Sequence, residues 1–175
     1  QLIARRIRDL NIYCEVVPYN KALKELENRN NVEGIIFTGG PNSVYEEGAP
    51  QIEKEIFDKG IPVLGLCYGM QIMAHALGGE VIKAPNEREF GKTEIETKES
   101  LIFKNLSKEE TVWMSHVDRV EKVPEGFEVI AHSKNCPVAA MANEEKKLYA
   151  LQFHPEVNHS VHGKETVSYT HLRAH

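Results

Sequence analysis

A chain of 175 residues, 41% hydrophobic and 27% charged, is long enough for one domain with a real core. Its 21 basic and 26 acidic residues leave a formal charge of −5, which argues against a general nucleic-acid-binding role. No apolar run approaches the ~20 residues of a membrane span. Cys14, Cys67 and Cys136 are odd in number and widely spaced, without a C-x-x-C, which argues against a disulfide framework or zinc ribbon. No secretory signal is expected, and the cytoplasm is the expected compartment.

Taken in chain order, Leu2, Ile3, Ile7 and Leu10 fit one face of a helix, with Arg5, Arg6 and Arg8 on its solvated side. Tyr13 to Val17 reads as a strand and Lys21 to Arg29 as a polar helix. Gly34 to Thr38 is a short buried strand closed by Gly39-Gly40-Pro41. Pro50 to Lys59 predicts a helix, with Pro50 in the first turn and Gly60 as the stop. Pro62 to Leu66 is a second buried strand, and Tyr68 to Leu77 a helix ended by Gly78-Gly79. Residues 80 to 153 predict short strands at Glu94–Thr97, Thr111–Met114, Phe127–His132, Val138–Ala142 and Lys147–Phe153. Strands apolar on both faces, alternating with helices, predict an α/β fold with a parallel sheet, extended by antiparallel strands in the second half.

Gly65-Leu66-Cys67-Tyr68-Gly69 joins the second buried strand to its helix. This is the cysteine form of a nucleophile elbow: glycines two places either side let the backbone turn tightly around the reactive side chain. A lone cysteine is usually a small buried hydrophobe. Here it stands at a helix N-terminus, where the dipole favours the thiolate. Such a nucleophile needs a base, and the base an orienting group. In Phe153-His154-Pro155-Glu156, Pro155 pushes His154 toward an extended conformation, and side chains two apart then point the same way. Glu156 could hold one imidazole nitrogen while the other faces Cys67.

Gly39-Gly40-Pro41-Asn42-Ser43 is not a P-loop, because no Gly-Lys-Ser/Thr follows. It reads better as part of an oxyanion hole, with the backbone N–H groups of Gly40 and Tyr68 converging on a developing negative oxygen. Trp113-Met114-Ser115-His116-Val117-Asp118 is too compact for a serine triad and reads as a pocket wall or, nearly as well, as a satisfied polar loop. His154, His159 and His162 match no strong ligand spacing, and no metal is expected.

These three segments, with Met70-Gln71 after the elbow, are similar in order and spacing to the class I (triad) glutamine amidotransferases. The resemblance implies a flavodoxin-like doubly wound, mostly parallel sheet and hydrolysis of glutamine to glutamate and ammonia. It implies Cys67 as nucleophile, His154 as base and Glu156 as orienter, Gly40 and Tyr68 as oxyanion donors, and Gln71, Ser115 and His116 lining the glutamine pocket. Pro41 to Tyr45, Arg88 to Lys92, Trp113 to His116 and Gln152 to Val157 resemble the GMP synthetase branch of that family. That branch implies a partner ATP-pyrophosphatase (synthetase) domain, fused or separate, which uses ATP and magnesium to aminate XMP. It implies no cofactor within this chain, and a homodimer only in the full enzyme. Other acceptors, as in anthranilate, aminodeoxychorismate or CTP synthesis, are the alternative, as is a non-catalytic regulatory module.

Three departures follow from the resemblance. The domain is expected over 1–166 without the family's N-terminal strand, and 167–175 reads as a foreign tail. Val117 occupies a place where the GMP synthetase branch usually has glycine, so strain is expected there if the position needs positive φ. The synthetase's own nucleotide loop, Ser-Gly-Gly-x-Asp-Ser, has no counterpart in the chain.

Overall fold

The computed structural model describes residues 2–29, 31–39, 43–49, 51–83, 89–103 and 109–154, with only the backbone of Glu89, Phe90 and Ser115. Among these, three helices (α1, Leu2–Arg8; α2, Ala22–Glu27; α3, Tyr68–Ala76) accompany nine strands. The strands are β1 (Ile35–Phe37), β2 (Val63–Leu66), β3 (Glu80–Lys83), β4 (Glu89–Thr97), β5 (Glu109–His116), β6 (Asp118–Lys122), β7 (Glu128–His132), β8 (Ala140–Asn143) and β9 (Leu148–Leu151). Seven form one sheet in the order β1-β2-β9-β8-β7-β4-β5, and β3 pairs with β6 separately. β1, β2 and β9 are parallel neighbours. From β9 outward, β8, β7, β4 and β5 are antiparallel. This is the expected flavodoxin-like α/β class with its antiparallel extension.

β2 and β9 are buried on both faces, and the edge strand β1 partly so, because their residues alternate between two cores. Val63, Leu148 and Ala150 join Phe37, Met70, Ile72 and Met73 of the α3 side. Leu64, Leu66, Tyr149 and Leu151 join Ile95, Ile102, Met114 and Phe153 on the other, where Ile3 of α1 also packs. Helix α3 is buried from Tyr68 through Ala74, so apolar residues surround it as in a core helix. Truncating one of the Leu, Ile, Met or Phe side chains here to alanine costs about 2–5 kcal/mol.

Four expectations need correction. Tyr13 to Val17 is not a strand: Tyr13 is 82% and Val16 72% exposed. Strand propensity is realised only through pairing, and β1, the outermost strand on one side, is bonded to β2 alone. The 50–59 segment forms only a 3₁₀ turn, Lys54–Asp58, which buries Ile56 and Phe57. One short turn does not repay helix nucleation, although Gly60 does stop it at φ 74°. Pro50 lies outside the described residues. The third correction is the missed pair β3 and β6, whose brief Glu-Val-Ile-Lys and Asp-Arg-Val-Glu-Lys runs show too little alternation to signal a strand alone. The last is β4, which begins at Glu89 rather than Glu94 because β5 pairs with it from Glu89↔His116 to Glu96↔Glu109. Val117 is not among the residues at positive φ, so no strain arises there.

Candidate active site

Parallel strands end on the same side, and the three ends here carry the residues of interest. Gly39 follows β1, Cys67 follows β2, and Gln152 to His154 follow β9. Leu66 is level with Leu151 in the β2–β9 register, so Cys67 and Gln152 leave the sheet side by side. Cys67 N–H donates to the Leu151 carbonyl at 2.8 Å.

The turn at Cys67 is strained. Its φ of 55° and ψ of −110° lie outside the regions that suit a non-glycine residue. Holding such a conformation costs of order 1–3 kcal/mol and persists only where surroundings enforce it. The enforcing contacts are the two glycines. A Cβ on Gly65 would stand 2.6 Å from the Gly69 carbonyl oxygen, and one on Gly69 would stand 2.2 Å from that of Phe37. Glycine at both places lets α3 begin directly against β1 and β2. The elbow read from the sequence is thus present, with Cys67 at the N-cap of α3. Met70 and Gln71 donate their N–H groups to the Cys67 carbonyl at 3.0 and 3.2 Å, which closes the first turn.

Cys67 Sγ lies 3.0 Å from His154 Nε2 and 3.4 Å from Nδ1. The thiol also reaches the Gln152 carbonyl at 3.0 Å, where it must be the donor because a carbonyl only accepts. His154 is half-buried, and its N–H donates to the Trp113 carbonyl of β5 at 3.0 Å. The far edge of the large sheet therefore comes back to hold the loop after β9. Tyr68 is the first residue of α3, placing its backbone at the helix N-terminus beside the sulfur. Burial raises the pKa of its phenol above the ordinary range, so its hydroxyl is neutral. Glu156 and Gly40, expected as orienter and oxyanion donor, lie outside the described residues.

Gln71 and His116 meet at the main-chain carbonyl of Asp118. Gln71 Nε2 donates to the Asp118 carbonyl at 3.1 Å and to Gln152 Oε1 at 3.2 Å. His116 Nδ1 sits 3.0 Å from the same Asp118 carbonyl, so that nitrogen carries a proton. Ser115 pairs in register with Phe90; its side chain is not described. The Asp118 carboxylate accepts from Ser43 and, at 2.9 Å, from Tyr45. It does not reach toward His116 as a triad acid would. From the sequence, Asp118 and Gln152 figure only within longer strings, and neither has a role of its own. A glutamine in an apolar run is a weak signal, yet Gln152 is fully buried beside the thiol. Among the described residues, no group of three or more His, Cys, Asp or Glu could hold a metal ion, and no helix is long and apolar enough to cross a membrane.

Fold and site together define a flavodoxin-like α/β protein with a cysteine on a strained elbow, within reach of a histidine that follows the adjacent parallel strand. The chain belongs to the class-I glutamine amidotransferases, whose family model matches residues 1–173. It is 60% identical over 168 residues to a glutamine-hydrolysing GMP synthase of Finegoldia magna, covering 95% of this chain and 32% of that one. It is 55% identical over 166 residues to a glutamine-hydrolysing GMP synthase of Clostridium botulinum, covering 94% and 32%. The chain thus spans about a third of the length of these curated relatives. A solved structure from Thermoplasma acidophilum, provisionally described as one subunit of a GMP synthase, superposes with a TM-score of 0.88 at 30% identity. It covers 99% of this chain and 87% of its own.

Proposed function

We propose that this chain hydrolyses glutamine through a thioester on Cys67 and supplies ammonia for the conversion of XMP to GMP. The observation that carries the reading is the 3.0 Å approach of Cys67 Sγ to His154 Nε2 at the strained elbow. The Cys67 thiol passes its proton to His154 as sulfur attacks the glutamine γ-carboxamide carbon. The carbonyl oxygen becomes an oxyanion facing the N–H groups of Tyr68 and Gly40. His154 returns the proton to the amide nitrogen, the C–N bond breaks, and ammonia leaves a γ-glutamyl thioester. Water, deprotonated by His154, then releases glutamate and restores the thiol. Glu156 holds the imidazole in the required orientation, and Gln71, Ser115 and His116 line the glutamine pocket. A positioned acid/base contributes about 10²–10⁴ in rate and one oxyanion donor about 10²–10³.

The GMP reading rests on identities of 55–60% to synthases of that name. XMP activation by ATP and magnesium then falls to a synthetase portion, fused or separate, and ammonia must reach it before becoming unreactive ammonium. We place this chemistry in the cytoplasm, and the three free cysteines fit a reducing compartment. The test is made in the protein together with its synthetase portion. Cys67→Ala should abolish glutamine-dependent GMP formation and spare synthesis from added ammonia. Loss of both together would make Cys67 a structural residue.

A further inference from the structure

Among the described residues near the site, Asp118 is a buried acid to which the proposed reaction assigns no work. It is only 8% exposed and is saturated with contacts of two kinds. Its carboxylate accepts from the Ser43 and Tyr45 hydroxyls, both in the loop that follows β1 and Gly39. Its main-chain carbonyl accepts from Gln71 Nε2 and His116 Nδ1. Gln71 in turn reaches Gln152 Oε1, and the Gln152 carbonyl takes the Cys67 thiol. One residue at the start of β6 therefore joins the loop after β1, helix α3, the end of β5 and the loop after β9.

We infer that the Asp118 carboxylate is a positioning group for glutamine: by clamping the Ser43–Tyr45 loop it holds in place the main-chain carbonyl that takes the Gln71 amide and the His116 imidazole. This rests on the glutamine-hydrolysing reading of the site. The carboxylate matters because each of its oxygens takes one hydroxyl, Ser43 on Oδ2 and Tyr45 on Oδ1, an all-acceptor arrangement that an amide, with one oxygen and one NH2, does not reproduce. Hydrogen bonds to a charged acceptor are among the stronger kind. Val44 between the two hydroxyl residues is 1% exposed in the α3-side core, and Gln51 Nε2 donates to its carbonyl at 2.8 Å. The loop is thus held from below by packing and from the pocket side by Asp118. Desolvation, aided by the Asp118 carboxylate against an opposing Ser43 bond, raises the Tyr45 pKa above the ordinary phenol range. Tyr45 therefore remains a donor at neutral pH.

The experiment compares two reagents for Cys67. One is a glutamine-shaped electrophile that needs the pocket; the other is iodoacetamide, which needs only the sulfur. For Asp118→Ala and Asp118→Asn we expect labelling by the glutamine-shaped reagent to fall about 10–100-fold at sub-saturating concentration. Iodoacetamide labelling should stay within about threefold, and glutamine KM should rise more than kcat falls. Ser43→Ala and Tyr45→Phe should each show a smaller selective loss, and neither should add to Asp118→Ala, since they act through the same carboxylate. If Asp118→Ala does not fold, the Ser43→Ala/Tyr45→Phe double variant must show the selective loss. Equal loss with both reagents, no loss with either, or additive effects would overturn the inference. Failure of the glutamine reading itself is distinguishable, because the unsubstituted protein would then show no preference for the glutamine-shaped reagent.

Discussion

The two halves of the large sheet differ in sequence and in what they hold. β1, β2 and β9 are parallel, three or four residues long, and packed on both faces; Gly39, Cys67 and His154 follow them. β4 and β5 are antiparallel, nine and eight residues long. Along β4, Lys92, Glu94 and Glu96 are exposed while Ile95 is buried, as expected of a sheet with one wet face. Parallel strands all finish at one edge, so groups just past their ends converge without long loops. Antiparallel strands finish alternately at opposite edges. Their contribution to the site comes instead from a main-chain carbonyl, that of Trp113, and from residues at the turn out of β5. The parallel half gathers the groups proposed to react, and the antiparallel half buttresses them.

The largest effect that could break this division is at the sulfur. Cys67→Ala should lower glutamine hydrolysis by at least about 10³-fold while leaving the melting temperature near that of the parent. Residual activity within tenfold would remove the parallel strand ends from the chemistry. His154→Ala should cost about 10²–10⁴ in kcat, and Glu156→Ala less. The reverse ranking in steady-state assays would give Glu156 a role beyond orienting the imidazole.

A pair of glycines sharpens the contrast through stability. Gly69→Ala drives a Cβ to 2.2 Å from the Phe37 backbone, and thermal or denaturant unfolding should report a loss of about 3 kcal/mol or more. Gly91→Ala in β4, at φ 98° with open space around the position, should cost only about 1–2 kcal/mol of backbone strain. Equal losses would mean that the elbow is no more tightly packed than the antiparallel strands. The smallest effect belongs to the exposed pair between Lys146, in the β8–β9 turn, and Asp58, at 3.6 Å. Asp58→Ala should change stability by no more than about 0.5 kcal/mol, with less change still at high salt.

Local pattern alone placed the two buried strands at 34–38 and 62–66, helix α3 with its Gly78 stop, and the elbow around Cys67. Each depends on neighbours a few residues apart: an apolar run, a capping glycine, small residues flanking a turn. Alternation of those strands with helices indicated an α/β class with an antiparallel extension, and the family resemblance on three short segments added the flavodoxin-like topology. Tertiary structure decided what depends on a distant partner. Tyr13 to Val17 has strand-like residues but pairs with no strand among the described residues; the charged runs at 80–83 and 118–122 become strands because each meets the other. Cys67 and His154, 87 residues apart, meet only because β9 enters the sheet next to β2. Asp118 gained its place in the same way, since its two hydroxyl partners lie 75 and 73 residues before it. Side-chain periodicity is set by the local backbone, but which strand ends lie together is set by how the whole sheet buries its two faces, and a sequence pattern a few residues long carries no record of that.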